Sequence, residues 1–207
     1  EYVPTFQGGV ERIVDHVEKF IKRARREIPP VSTAKTLSLL VESNPEIRDF
    51  SFDIYCPKSY YHHTRFTAWC PKGRLTDNWL KTLLNSTVRS LRALRVKHAE
   101  SYVIGLNSRV NQYEPKHILM LDLDDMSTLP KDKFKDEPGF FFRTGSGFHF
   151  IGSRLYDYSA WKKRMKSFLP LASKQHYDLS LKRGYATLRL TASPRKPIAP
   201  VYIGRSS

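Results

Sequence analysis

Cysteine is nearly absent: only Cys56 and Cys70 occur among 207 residues. Two cysteines cannot build the stapled framework of a small secreted scaffold, so stability has to come from a packed core, and a reducing, cytoplasmic setting is expected. Long apolar runs are missing too. Nothing approaches the ~18 residues that a membrane-spanning helix needs, and the start of the chain lacks the pattern of a secretion signal. No membrane partner is expected. Internal repeats and low-complexity tracts are absent, which excludes solenoids and arrays. The chain opens on Glu1 and closes on "GRSS", as a domain taken from a longer protein would. Acidic residues are in short supply: 20 Asp and Glu stand against 35 Lys and Arg, a net charge of +15.

That imbalance is uneven. Residues 1–50 carry eight basic and eight acidic side chains, so the whole positive excess lies after residue 50. An excess of this size reads as a footprint for a polyanion, held by attraction to phosphates. The division suggests an N-terminal helical accessory segment over 1–50 and a basic core over 51–207.

With a hydrophobic fraction of 40 %, the core can be substantial, and the periodicities predict a mixed α/β (α+β) fold. Apolar residues at helical spacing predict helices over 10–28, 33–42, 77–98 and 158–169. The first ends at two prolines, and Thr76 or Asp77 can cap the third. Strands are predicted at 65–70, 101–106, 117–124, 139–144, 148–152, 186–191 and 199–203. Arg89, Arg92 and Arg95 ride the polar side of the 77–98 helix and are candidates for a template-binding wall. The Lys162, Lys163, Arg164 and Lys166 run is a weaker candidate, since a charge run is usually a solvated face.

Three stretches carry chemistry. "HILMLDLDDMS" (117–127) begins as a buried strand, then places Asp122, Asp124 and Asp125 at its end. Residues two apart in a strand share a face, roughly 7 Å apart. Asp122 and Asp124 therefore stand together, and they repel unless a cation lies between them; oxygen-only ligands favour Mg²⁺ or Mn²⁺. A strand ending at solvent in an acidic turn is the other reading of the same residues. "RTGSGFHF" (143–150) follows, with a Gly145-Ser146-Gly147 turn whose N–H groups can face a phosphate and His149 on the outgoing strand. "HYDLSLKRGYATLRLTASPRK" (176–196) holds a third carboxylate, Asp178, then Arg189 in a strand pattern, then Arg195 and Lys196. Three carboxylates can hold two metals, and the cations beside them can hold a triphosphate.

The order "LMLDLDD", "GSGFHF", "YDLSL", with an Arg-Leu strand and a basic residue beyond it, resembles the archaeo-eukaryotic primase–polymerase superfamily, in particular its eukaryotic-type, mobile-element and CRISPR-associated members. The resemblance spans about residues 116–196. It implies an archaeo-eukaryotic primase-like catalytic core, an αβ lobe packed on an RRM-like lobe. It also implies a DNA primase or DNA polymerase, a nucleotidyltransferase joining nucleoside triphosphates to a 3′-hydroxyl with two Mg²⁺ or Mn²⁺ ions. Asp122, Asp124 and Asp178 would be catalytic and hold the metals. Ser146, Gly147, His149, Ser180, Arg189, Arg195 and Lys196 would hold the nucleotide. The partners implied are single-stranded or primed DNA template and NTP or dNTP substrates, with replication, repair or CRISPR modules fused or associated outside this segment.

Residues 1–115 fall outside the resemblance. Many of its members carry a zinc module, and Cys56, His62, His63 and Cys70 form a C-x5-H-H-x6-C pattern with ligand types that suit zinc; adjacent histidines seldom both reach one ion, and ordinary buried cysteines and surface histidines are the favoured reading. Two other classes would also be basic α/β proteins. A His-hydrophobic-His replication initiator or relaxase needs paired histidines on one strand, and "FHFIG" has only His149. A non-catalytic single-stranded nucleic-acid binding domain could use the basic surface and the aromatics, but has no need of the acids.

Overall fold

The run from Ile118 to Leu121 forms the buried centre of the fold. The computed structural model describes residues 33–57, 65–194 and 196–206. In chain order the elements are α1 (Thr33–Ser43), β1 (Asp49–Tyr55), β2 (Phe66–Pro71), α2 (Asp77–Ala93), β3 (Val103–Val110), β4 (Lys116–Leu123), β5 (Gly139–Arg143), β6 (Phe148–Tyr156), α3 (Tyr158–Ser167), α4 (Lys174–Arg183), β7 (Thr187–Arg189) and β8 (Val201–Arg205). The fold is mixed α/β, with the eight strands in one sheet and every pairing antiparallel. Among the described residues no helix is long and apolar enough to cross a membrane. The helix expected over 10–28 lies outside the described residues.

The sheet runs β2-β1-β3-β4-β6-β5-β8, and β7 pairs with β3 off this path. β3 meets β4 at only two residue pairs, Arg109 with His117 and Val110 with Lys116. Beyond them the same edge of β3 pairs with β7, Gly105 to Arg189, Leu106 to Leu188 and Asn107 to Thr187. The two strands therefore part, and β7 fills the fork between them.

Register explains how the core divides. Leu121, Phe150 and Phe141 lie opposite one another on β4, β6 and β5. Phe134 packs on Phe141, Phe150 and Phe168, with ring centroids 4.4–5.0 Å apart. The next row is Asp122, His149 and Phe142. Side chains alternate along a strand, so this row faces the other way.

Several local signals correct the expected boundaries. β1, "DFSFDIY", was not expected as a strand: its Phe50, Phe52 and Ile54 alternate, but Asp53 interrupts the apolar composition. The expected boundary at residue 50 falls inside β1. Leu37, Leu40 and Ile47 are fully buried in the same core as β3 and β4, so residues 37–50 belong to the fold. α2 is capped by Thr76, whose hydroxyl accepts from the Trp79 N–H. It ends at Ala93 rather than 98 because Arg95 takes a left-handed conformation (φ 55°), while Val96 N–H donates to Leu91 C=O and Arg95 N–H to Arg92 C=O. That bonding pattern closes a helix C-terminus, usually with glycine in the left-handed place.

The buried charges are paired. Glu137 is fully buried and accepts from the Tyr156 hydroxyl and from Arg164 Nε at 2.7 Å. Arg164 is thus a structural partner, unlike the solvated face expected for its run. Asp53, also fully buried, accepts from Arg65, Thr67, Asn107 and Tyr185. A buried charge without such partners would be strongly destabilising.

His117 stacks on Trp161 at 4.8 Å and lies 5.5 Å from Tyr158. Burial, with Arg109 nearby, holds its pKa down to about 4. A neutral histidine in the fold that ionises near 6.5 when unfolded favours the native state above pH 6.5, and that advantage is lost as pH falls toward 4. The slope of unfolding free energy against pH between 5 and 6 should therefore shrink in His117→Phe by about one proton, measured by denaturant titration at each pH. An unchanged slope would mean that His117 is not the group taking up that proton.

Candidate functional site

Where β3 and β4 part, the strand ends leave a cleft. Its first chamber, about 350 Å³, is lined by Tyr55 at the end of β1, Asp122 and Asp124 at the end of β4, Thr144 to Ser146 in the β5–β6 turn, His149, residues 187–189 of β7 and Lys196 to Ile198. That volume lies within the range of small-molecule sites.

Asp122 is the last inward polar residue of β4, and its partner in the ladder is His149. The His149 Nε2 lies 3.5 Å from Asp122 Oδ1. β4 ends at Leu123, so Asp124 stands one step beyond it, exposed, and Asp125 takes a left-handed turn conformation (φ 55°). Burial, then the neighbouring Asp124, push the Asp122 carboxyl up to about 7, against the opposing pull of Lys196 and Arg189. His149 is held down to about 3, by burial first and then by Arg189, His176 and Lys196. At neutral pH it is an uncharged imidazole, so it can meet a phosphate through an N–H but not through charge.

The β5–β6 turn is pressed onto the acids. Gly147 N–H donates to Thr144 Oγ1 at 3.1 Å, and Thr144 N–H to the Gly147 carbonyl at 2.9 Å. A Cβ on Gly147 would lie 2.1 Å from the Leu123 carbonyl oxygen. Only glycine allows that approach, which brings Ser146 to the same chamber as Asp124.

Of the expected residues, Asp122, Asp124, Ser146, His149, Arg189 and Lys196 line this one chamber, and Gly147 shapes its turn. Arg195 lies outside the described residues. Arg189 is buried, and its Nη1 donates to the carbonyls of Thr191 at 2.8 Å and Ile198 at 2.7 Å. It thereby fastens both sides of the loop that carries Lys196.

Asp178 is not brought to the pair. Helix α4 runs through it, from the Ser173 cap to Gly184 in the left-handed place. Its carboxylate pairs with Lys174 one turn earlier at 2.6 Å and is 54 % exposed. Ser180 is buried on α4, where its hydroxyl donates to the His176 carbonyl at 2.7 Å, and it does not line the cleft. Among the described residues no group of three or more His, Cys, Asp or Glu is placed to hold a metal ion. Arg89, Arg92 and Arg95 are exposed, Arg95 beyond the end of α2.

The zinc pattern fails on register. Cys70 is buried on β2 opposite Phe50. Cys56 lies six residues beyond Phe50, just past the end of β1, which is ~20 Å in extended chain. The two thiols therefore cannot share an ion; His62 and His63 lie outside the described residues.

Several residues around the cleft went unrecognised in the sequence: Tyr55, Arg65, Thr187, His176 and Arg183. His176 Nε2 lies 3.2 Å from the Met120 carbonyl, and Ser173 N–H donates to the Asp122 carbonyl at 2.8 Å, so α4 is fastened to β4 at the acid pair. Burial holds His176 down to about 4. With its Nε2 on a backbone carbonyl, His176 does not complete a paired-histidine metal site with His149. The helical spacing of His176, Leu179 and Arg183 was the available signal.

No protein-family model, no curated protein and no solved structure matches the chain.

Gly147→Ala should lower stability by about 1–3 kcal/mol, the range for a forced steric conflict, while Ser146→Ala should change it by less than about 0.5 kcal/mol. Urea unfolding of both variants reads this out. Wild-type stability in Gly147→Ala would show that the turn can move away from β4.

Proposed function

We propose that the chain is the catalytic core of a metal-dependent nucleotidyltransferase, a primase–polymerase that joins a nucleoside triphosphate to a 3′-hydroxyl on a DNA template. The observation that carries this reading is the convergence of two carboxylates, Ser146 in a close-pressed turn, and Lys196 with Arg189 on one chamber. A single-strand binding domain would have no use for a carboxylate pair in a cleft of a strongly basic protein. The fork at β3 adds support. It divides the sheet into β2-β1-β3 with β7, and β4-β6-β5-β8, the kind of division that a two-lobed primase-like core calls for.

The donor set suits a hard divalent cation. Asp122 and Asp124 offer oxygen ligands, and a pair in which one carboxyl is raised to about 7 is relieved by a cation. Mg²⁺ is commonly held by one or two carboxylates together with substrate phosphates. Bound there, Mg²⁺ or Mn²⁺ would neutralise phosphate charge and favour attack at the α-phosphorus. A second ion leaning on Asp178 has no such support, because Asp178 is engaged with Lys174.

The chain's own residues divide the remaining work. Lys196 brings a cation to the phosphates. Arg189 keeps Lys196 in place through the Thr191 and Ile198 carbonyls. Ser146 and the turn backbone offer donors to terminal phosphate oxygens. Neutral His149, opposite Asp122, offers an N–H without competing for the cation.

Incorporation of labelled nucleotides on primed and unprimed templates, with Mg²⁺ or Mn²⁺, tests the reading. Asp122→Asn and Asp124→Asn should each reduce incorporation on the order of a thousandfold with thermal unfolding retained, whereas Asp178→Ala should keep most activity. Wild-type rates in either acid variant, or no synthesis by the wild type with any nucleotide set, would overturn the assignment.

Cation binding should also depend on pH. Below pH 7 the Asp122 proton must leave before a cation binds, so Mn²⁺ affinity should rise by up to about tenfold per pH unit between 5.5 and 7 and level off above. Calorimetry reads this directly, and Asp122→Asn should flatten the profile. A flat wild-type profile would remove Asp122 from the ligand set.

A further inference from the structure

The cleft has a second chamber, also about 350 Å³, which shares Tyr55, Asp122, Asp124, Thr187 and Lys196 with the first. Its far wall is different: Arg65 from the start of β2, and His176, Leu179 and Arg183 from α4. The acid pair therefore stands between two chambers, each with its own cations.

The two guanidiniums of the far wall are not equivalent. Arg65 is committed: its Nη1 donates to buried Asp53 at 2.5 Å and to Thr187 Oγ1 at 3.1 Å, and its guanidinium lies 4.3 Å over the Tyr55 ring. Asp53 is saturated, because Thr67, Asn107 and Tyr185 also donate to it. Arg183 is half-buried and has no hydrogen-bond or ion-pair partner among the described residues. Burial and the nearby Arg65 charge hold its pKa below the usual guanidinium range. A guanidinium carries five N–H donors in a fork that matches a phosphate. One that is partly desolvated, beside a second positive charge and with no anion bonded to it among the described residues, is set up to receive one.

We propose that the second chamber binds a phosphate of the acceptor, the reactant that supplies the 3′-hydroxyl. The proposal rests on the nucleotidyl-transfer reading above. The triphosphate lies on the Ser146 side, with Lys196 common to both chambers, and the acceptor phosphate lies on Arg183. The acceptor hydroxyl is then directed to the acid pair between the chambers. Its oxygen bonds to the α-phosphorus, the bond from that phosphorus to the bridging oxygen of pyrophosphate breaks, pyrophosphate leaves, and the hydroxyl proton passes to water. Leu179 gives this chamber an apolar wall that suits a sugar or base, whereas the turn backbone of the first chamber suits several phosphates at once. The acceptor phosphate has two sources, the last phosphodiester of a strand or the 5′-phosphate of a single initiating nucleotide.

The test compares wild type, Arg183→Gln and Arg183→Lys in three binding measurements: a fluorescent six-nucleotide DNA with a free 3′-hydroxyl, a nucleoside 5′-monophosphate, and a triphosphate with a non-hydrolysable α,β linkage. Arg183→Gln should weaken the oligonucleotide on the order of tenfold, the size of one charge-assisted contact, and the triphosphate by less than about twofold. Arg183→Lys should recover part of the loss, since it keeps charge but not the fork. A loss confined to the oligonucleotide identifies the strand as the source; an equal loss for the monophosphate identifies the initiating nucleotide. Unchanged oligonucleotide affinity in Arg183→Gln, or an equal loss for the triphosphate, overturns the proposal. Incorporation assays separate it from the reading it rests on. Synthesis by wild type and Arg183→Gln with the same acceptor KM would remove the second chamber and leave nucleotidyl transfer standing. Arg183-dependent oligonucleotide binding without any synthesis would do the reverse.

Discussion

One edge of β3 is divided between two strands, and the cleft exists because of it. Backbone N–H and C=O groups in a core must all find partners. β3 meets that demand with β4 at Arg109 and Val110 and with β7 from Gly105 to Asn107. The Ser108 N–H reaches the Ala186 carbonyl, and the Leu190 N–H reaches Ile104, so the edge continues without a gap. β4 is then free to diverge, and its acidic end opens onto space rather than onto β3. Gly105 is part of this arrangement, since a Cβ there would lie 2.5 Å from Thr187 Cγ2.

The positive charge of the chain does two kinds of work. Some guanidiniums are committed to the fold: Arg65 to Asp53, Arg164 to Glu137, and Arg189 to the carbonyls of Thr191 and Ile198. These cations are anchored, and two of them, Arg65 and Arg189, form fixed walls of the cleft. Among the described residues, Lys196 and Arg183 are left facing its interior without being consumed by backbone or buried acid. The acids are distinguished in the same way. Asp53 and Glu137 are fully buried and multiply bonded, whereas Asp122 is partly exposed at a strand end with its carboxyl pushed toward neutrality.

Much of the centre could be read from residues alone. Alternation placed β4, β5 and β6 within a residue or two at most ends, and the Asp-x-Asp, Gly-Ser-Gly and His elements do meet at one place. What could not be read was long-range pairing. Nothing local in "TLR" says that it pairs with β3, and only that pairing brings Arg189 near Asp122. The same gap misplaced Asp178: its position is set by α4 docking through Ser173 and His176 onto the β4 backbone. β1 went unseen because Asp53, an acid that finds four partners from distant segments, looks like a loop residue in one dimension. The zinc pattern failed for a related reason, since spacing in sequence does not reveal that an intervening strand pair carries two cysteines apart.

The fork also has a bearing on the order in which the chain can assemble. β3 is complete by residue 110, yet the strand that fills its open edge begins at residue 187, and β8, at the end of the sheet, begins at residue 201. Contacts that span eighty residues or more form late, because the chain must first close a long loop. Until then β3 offers unpaired amides along Gly105 to Asn107, the kind of edge to which other chains add. During synthesis, therefore, the edge of β3 that β7 later covers is the one most in need of protection.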